Sequence, residues 1–511
     1  MTSSWTDRAE AKRSQLSNAI PSEWRVQKLP SGDSAFEYTK TCGILSPEEL
    51  SIISSSATDL VSQLSTGKLR AVDVTLAFCK SAAIAQQLTN CMHEFFPEDA
   101  LAQAKQLDQY YSEHKKPVGP LHGLPISLKD QLRVKGYETS MAYISWLGKS
   151  DEQDSILTNL LRKAGAVFYT KTSVPQTLMV CETINNIIGG SIRVPAAFNY
   201  LYGIRPSHGR LPYGRMANSM EGQETVPSVV GPIAHSAADI RLFMTAVLHE
   251  EPWKYDSKVI PMLWRSEEEV AVKKKIEAGE LAVGFYKSDD NVLPHPPILR
   301  GVDMVVDALK RNGHKVVPWA PYKHAFAVDM ANIIYAADGG TDVARHISAS
   351  GEPFIPNIKE LLNPDIKKRD LNEVWDVQLQ KWNYQMEYLE KWSEVEQQLG
   401  SELDAIVAPV SATAAIRHNQ FKYYGYATVF NVLDLTSVVV PVTLADRNLD
   451  PKKENYQPLN ELDEVVQAEY DADAYHGAPV AIQVVGRRLS EEKTLAIAEE
   501  IGRLLGNMVT P

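Results

Sequence analysis

The sequence predicts an α/β fold with a central sheet covered by helices. Three observations lead there. Strand-like and helix-like segments alternate through most of the chain, a strand–helix–strand order recurs, and the first hundred residues have a mainly helical pattern.

Taken in order, Ser46 followed by Pro47, Glu48 and Glu49 reads as a helix N-terminus: an N-cap serine, a proline in the first turn, and Glu49 closing a capping box. The segment it opens keeps a helical period to Gly67, and residues 71–88 and 98–114 predict two more helices. "GLPISLKD" (123–130) reads as a short apolar strand ending in two charges. Residues 154–165 read as a helix closed by a glycine, and "AVFYTKT" follows as a strand. Further on, "LAVGFY" (281–286), a helix to Gly313 and "HKVVPW" give strand, helix, strand. "DAIVAPV" (404–410) and "PVAIQVVGRR" (479–488) supply further strands, and "SEEKTLAIAEEIGRLLG" a closing amphipathic helix. Residues 365–400 predict a long surface helix rich in charge and Trp, and 446–464 a polar loop.

At 511 residues the length permits two or three domains or one large α/β core, but no linker forces a boundary and no internal repeat is evident. The composition, 44% hydrophobic and 23% charged, is that of an ordinary globular protein. A net charge of −12 gives a nucleic-acid partner no support. The four cysteines, Cys42, Cys79, Cys91 and Cys181, lack metal-ligand spacing and argue for a reducing compartment. Neither a signal peptide nor a bilayer-length apolar run is present, so a cytoplasmic location is expected.

The chemistry centres on "GGSIR" (189–193). Gly189 and Gly190 allow a tight turn that aims backbone N–H groups at one point, and Ser191 stands where a nucleophile would be presented. Most such triplets are plain loops. Lys129 changes the weighing, because a lysine closing an apolar strand is either solvated at the sheet edge or buried for a reason. Buried, its pKa can fall from about 10.4 towards about 7–8, so that the neutral amine serves as a base for serine.

"GPLHGLPISLKD" (119–130), "GGSIRVPAAFNYLYGIRPSHGRLP" (189–212), "VGPIAHSAADI" (230–240) and "GAPVAIQVVGRR" (477–488) together resemble the amidase signature family. "NVLDLTSVVVPVT" (431–443) and the 446–464 loop resemble its fungal acetamidase-like branch. The resemblance implies one domain over 1–511: a mainly helical region (1–115), a central, mostly parallel mixed sheet with helices on both faces, and a variable lid-like region at about 250–400. It implies an amide hydrolase with a Ser–cis-Ser–Lys triad, in which Ser191 is the nucleophile and Lys129 the base. Backbone amides of Ile188, Gly189 and Gly190 form the oxyanion hole, and Leu178 or Met179 touches the acyl group. No metal or cofactor is implied; the partner is a small-molecule amide, with a homodimer left open and no nucleic acid or membrane expected.

The chain departs from the family pattern at one place. The family's bridging serine belongs to a Gly-Ser-Ser-Gly-Gly segment, yet here "CETINNIIG" (181–189) runs directly into "GSIRVPA" (190–196). An inactive or incomplete form that keeps the fold as a binding body is therefore the alternative to a slow amidase. An amidotransferase subunit fits less well. Ser127 and Thr183 are candidates to replace the relay, and each is more simply a structural hydroxyl. Arg193 is expected to hold the turn, and Asp130 to pair locally. His122 and His235 read as structural or solvated, and Cys181 as a buried thiol.

Overall fold

The computed structural model describes residues 4–27, 35–178, 190–361, 366–417 and 420–506. Among the described residues ten strands fall into two sheets. A three-stranded sheet holds β1 (Met92–Phe95), β2 (Pro125–Lys129) and β3 (Val167–Thr172) in the order β1-β3-β2. A seven-stranded sheet holds β4 (Tyr202–Arg205), β5 (Ile233–Ala234), β6 (Ala282–Phe285), β7 (Lys315–Pro318), β8 (Ala405–Pro409), β9 (Ser437–Leu444) and β10 (Pro479–Val485). Its order is β5-β4-β9-β10-β8-β6-β7.

The α/β class and the mixed sheet are as expected, but the larger sheet is not mostly parallel. Among the described residues of this sheet only β6–β7 and β6–β8 pair in parallel, while β4–β5, β4–β9, β9–β10 and β8–β10 are antiparallel. The strand–helix–strand unit at 282–318 makes its parallel pair as the alternation predicts. Strands β8 and β9 also run the same way, but β10 inserts between them in the opposite sense and turns one parallel neighbour into two antiparallel ones. Alternation in sequence fixes strand direction only between neighbours, and β10 comes from much later in the chain.

Burial explains why these strands read as continuous apolar runs. Ala405 and Val407 of β8 face one core, shared with Val302, Val305 and Leu309 of the Pro296–Arg311 helix and with Leu495 and Ile501 of Glu491–Leu504. Ile406 and Ala408 face the other, with Tyr388 and Trp392 of the Leu371–Leu399 helix and Phe430. The period of two thus serves two apolar faces, and no polar alternation survives.

The N-terminal region is helical as predicted, with helices at Trp5–Asn18, Ala35–Thr41, Pro47–Ile53, Ala57–Ser65, Ala71–Thr89 and Pro97–His114. Ser46 makes the predicted capping box with Glu49. The single helix expected over 46–67 is two, because Ser56 caps a new start at Ala57. The polar loop expected at 446–464 ends where Asn460 caps Glu461–Glu469.

Candidate active site

Ser191 stands in a turn between Gly190 and the short helix Arg193–Phe198. The Gly190 carbonyl accepts from Val194 N at 2.9 Å, so the glycine already belongs to the first helical turn. Ile192 is held at φ +59°, a strained conformation for a β-branched residue. Two glycines leave room for it. A Cβ on Gly203 would meet Ile192 Cγ2 at 3.2 Å, and one on Gly231 would meet Ile192 Cδ1 at 2.9 Å and the Ile204 carbonyl at 2.1 Å. The helix behind the turn packs Val194, Ala196 and Ala197 against Val439 and Ala481, which anchors it to β9 and β10.

Lys129 closes β2, whose pairing with β3 shifts register between Ile126 and Leu128. That irregularity breaks strict alternation at Ser127. Ser127 is exposed and lies against the buried Tyr169 phenol, while Lys129 is partly buried. The cavity into which Lys129 leads has a volume of about 70 Å³ and is lined by Lys129, Ser191, Leu178, Gln131, Arg205 and Tyr213, among others. Sequence reading placed Lys129, Ser191 and Leu178 at one site, and the structure brings these three together. Gly190 is buried directly beside them. Ile188, Gly189 and Met179, together with Thr183 and Cys181, lie outside the described residues.

The electrostatics separate two neighbouring lysines. Burial pushes the Lys129 ammonium down to about 8, with Asp130 opposing. Among the described residues Lys129 has no hydrogen bond or ion pair, and only the charge of Asp130 favours its protonated form. Asp130 is committed elsewhere: it accepts from Met141 N at 2.7 Å and Ser140 N at 3.1 Å, and lies 3.4 Å from both His93 Nε2 and Lys171 Nζ. Burial would raise its carboxyl, but His93 and Lys171 hold it below the usual carboxylate range. Lys171 in turn donates to the Glu138 carbonyl at 2.6 Å. His93, Glu94 and Glu138 cluster behind this pair, and the Lys12 ammonium sits between the two carboxylates at 2.7 and 3.2 Å, supplying the positive charge there.

Arg193 holds the turn as expected, through carbonyl and amide oxygens. It is fully buried and donates to Gln483 Oε1 at 2.9 Å, the Ala427 carbonyl at 2.7 Å and Asn431 Oδ1 at 2.5 Å. Burial, with Arg205 nearby, pushes its guanidinium down to about 9. Arg205 is equally buried and pairs with Asp434 at 2.9 Å. Arg193 Nε and Arg205 Nε and Nη2 have no hydrogen-bond partner among the described residues. Sequence reading passed over Arg205, Gln131 and Tyr213 as lining groups. The signal lay in "GIRPS" and "KDQ", where a charged or polar residue interrupts or follows an apolar strand. His122 is buried, its Nδ1 accepting from Val118 N at 3.2 Å, and His235 is exposed; neither lines the cavity.

The cavity opens outward. A cleft of about 630 Å³ shares Asn218, Met220 and Gln223 with it and continues past Trp146, His346 and Arg345.

A family model described as Amidase matches residues 73–189 and 186–495. Over 548 aligned residues the chain is 64% identical to an acetamidase of Emericella nidulans, covering 100% of both chains. It is likewise 64% identical, over 543 residues, to an acetamidase of Aspergillus oryzae, covering 99% of this chain and 100% of that one. A solved fatty acid amide hydrolase superposes with a TM-score of 0.90 at 29% identity, covering 99% of this chain and 96% of the other. With a family model matched over most of its length and 64% identity to these acetamidases, the chain belongs to the amidase signature family.

Proposed function

We propose that the chain hydrolyses small carboxylic amides to acid and ammonia through Ser191 and Lys129, slowly, because the sequence lacks the Gly-Ser-Ser-Gly-Gly segment that carries the family's bridging serine. One observation carries this reading. A lysine whose charge is weakened by burial and a serine on a glycine turn line the same small cavity. The relatives named as acetamidases support the substrate class. At about 70 Å³ the cavity is far below the roughly 300–1,000 Å³ of pockets for larger ligands, which favours a short acyl group.

In this mechanism Ser191 Oγ attacks the amide carbon while neutral Lys129 takes up the hydroxyl proton. The carbonyl electron pair moves onto oxygen, where the N–H groups of Ile188, Gly189 and Gly190 stabilise it. Collapse breaks the C–N bond, the proton passes from Lys129 to the leaving nitrogen, and ammonia departs from an acyl-serine. Water then attacks the ester carbon while Lys129 takes its proton; the C–Oγ bond breaks, Lys129 returns that proton to Ser191 Oγ, and the acid leaves. No metal or cofactor takes part, and a cytoplasmic location belongs to the same proposal. Among the described residues, no helix is long and apolar enough to cross a membrane.

A second reading, an incomplete form that binds without turnover, is favoured by a specific set of observations. The family match breaks into two stretches that meet at 186–189, immediately before Ser191. The alignment to the Emericella protein spans 548 positions against 511 in this chain, a difference of 37. Individual donors of Arg193 and Arg205 without acceptors among the described residues lie close by, and a buried donor without an acceptor is costly. Ammonia release from simple amides separates the readings: slow release that disappears in Ser191→Ala supports the hydrolase, and no release above the Ser191→Ala blank supports the binding body.

A further inference from the structure

Arg205 closes β4 with one edge of its guanidinium engaged and the other without acceptors. Nη1 lies 2.9 Å from Asp434 Oδ1 and donates to the Leu435 carbonyl at 3.2 Å. Nε and Nη2, both buried, have no hydrogen-bond partner among the described residues. These two N–H groups lie on the same edge of the planar group and point the same way. That edge matches the two oxygens of a carboxylate, which it binds by a pair of parallel hydrogen bonds. The side chain is 1% exposed and lines the cavity of about 70 Å³ that Ser191 and Lys129 also line. Two buried donors aimed at one small cavity are costly unless an acceptor meets them there.

We infer that this cavity binds a short-chain carboxylate, held across Nε and Nη2 of Arg205. Charge favours an anion there. Lys129 and Arg205 are the charged side chains among the described lining residues, and no carboxylate is among them, on a chain of net charge −12. Lys129, at about 8, still keeps its proton most of the time at pH 7. The charges behind the wall do not reverse this sign. Asp434 is shared between Arg205 and Arg488, at 2.9 and 2.7 Å, and Lys381 adds positive charge beside them. Arg193 is close enough to repel Arg205, and its own contacts are the neutral oxygens of Gln483, Ala427 and Asn431. Asp130, next to Lys129, already lies 3.4 Å from both His93 and Lys171. The outer cleft carries both signs, with Arg345 on Asp342 at 2.7 Å, and Glu221 and Asp338 in its wall, so the positive field is confined to the inner cavity. The acid released by amide hydrolysis is such a carboxylate; that identification of the ligand rests on the proposed hydrolase reading, whereas the binding itself does not.

Calorimetric titration of the full chain at pH 7 and constant ionic strength tests this, with acetate, chloride, inorganic phosphate and acetamide as the probes. Acetate should bind about tenfold or more tightly than chloride or phosphate, which do not match the two parallel donors, and than acetamide, which lacks the charge. Ser191→Ala should bind acetate as the parent does. Arg205→Lys keeps a positive charge for Asp434 but loses the two-donor edge, and should weaken acetate binding by about tenfold or more, with folding checked by near-ultraviolet circular dichroism. The inference is overturned if wild-type protein binds acetate no more tightly than chloride, or if folded Arg205→Lys binds acetate as the wild type does. The wild-type series decides the matter by itself where the variant does not fold. Acetate preference in a chain that releases no ammonia from amides upholds this inference and removes the hydrolase reading; ammonia release without acetate preference does the reverse.

Discussion

Lys129 carries the site's most telling electrostatics, because its amine is lowered from 10.5 to about 8 by loss of water with only Asp130 opposing. A depressed lysine pKa means that the unfolded chain binds more protons than the folded one between those two values, so this residue's contribution to stability improves as pH rises through that window. Lys129→Met should therefore stabilise the fold by roughly 1–3 kcal/mol near neutral pH, with the gain shrinking towards pH 10.5, as read by urea denaturation of both proteins. The same substitution should abolish hydrolysis, whose rate in the parent should rise with pH around 8. Asp434 offers a contrasting case. It pairs with the buried Arg205 at 2.9 Å and with Arg488 at 2.7 Å, so Asp434→Asn should cost about 3–5 kcal/mol by leaving Arg205 less compensated. Less than about 1 kcal/mol in a denaturation midpoint analysis would show that Arg205 does not depend on it.

Helix starts are where local chemistry and structure agree best. The Ser46–Glu49 box is visible in four residues, and the structure makes both of its hydrogen bonds. Ser46→Ala should cost about 1 kcal/mol by thermal or urea unfolding. The second start at Ser56 was hidden because the helical period continues across it, and only its capping contacts reveal the break. Strand β1 was also missed: "MHEF" mixes polar and apolar residues, and it is a strand because β3 pairs with it. Strand order in the larger sheet was not legible for the same reason, since β10 finds β8 and β9 by tertiary packing. Beneath the nucleophile turn, Gly231 is required by close approach: a Cβ there meets the Ile204 carbonyl at 2.1 Å. Gly231→Ala should destabilise by about 1–3 kcal/mol and disturb Ile192, and with it the setting of Ser191.

Across the whole molecule, what the sequence made legible is the meeting of Lys129, Leu178 and Ser191 in one cavity from three distant stretches of chain. Family-level pattern carried that expectation; no local rule relates a strand end at 129 to a turn at 191. What was not legible is the lining by Arg205, Gln131 and Tyr213, because lining depends on which side chains the packed elements leave facing a gap. The two stretches of family match meet at 186–189, immediately before the glycine–serine turn. Introducing a Gly-Ser-Ser-Gly-Gly segment ahead of the "GSIRVPA" turn should raise amide turnover; an unchanged rate would mean that its absence is not what limits the reaction. The most direct measurement is labelling of the purified chain by a serine-reactive fluorophosphonate, with the modified residue located by mass spectrometry across a pH series. We expect slow labelling at Ser191 that increases through pH of about 8, is lost in Ser191→Ala and falls in Lys129→Met. Folded protein that stays unlabelled at Ser191, or is labelled there at the same rate without Lys129, would contradict the assignment of these two residues as nucleophile and base.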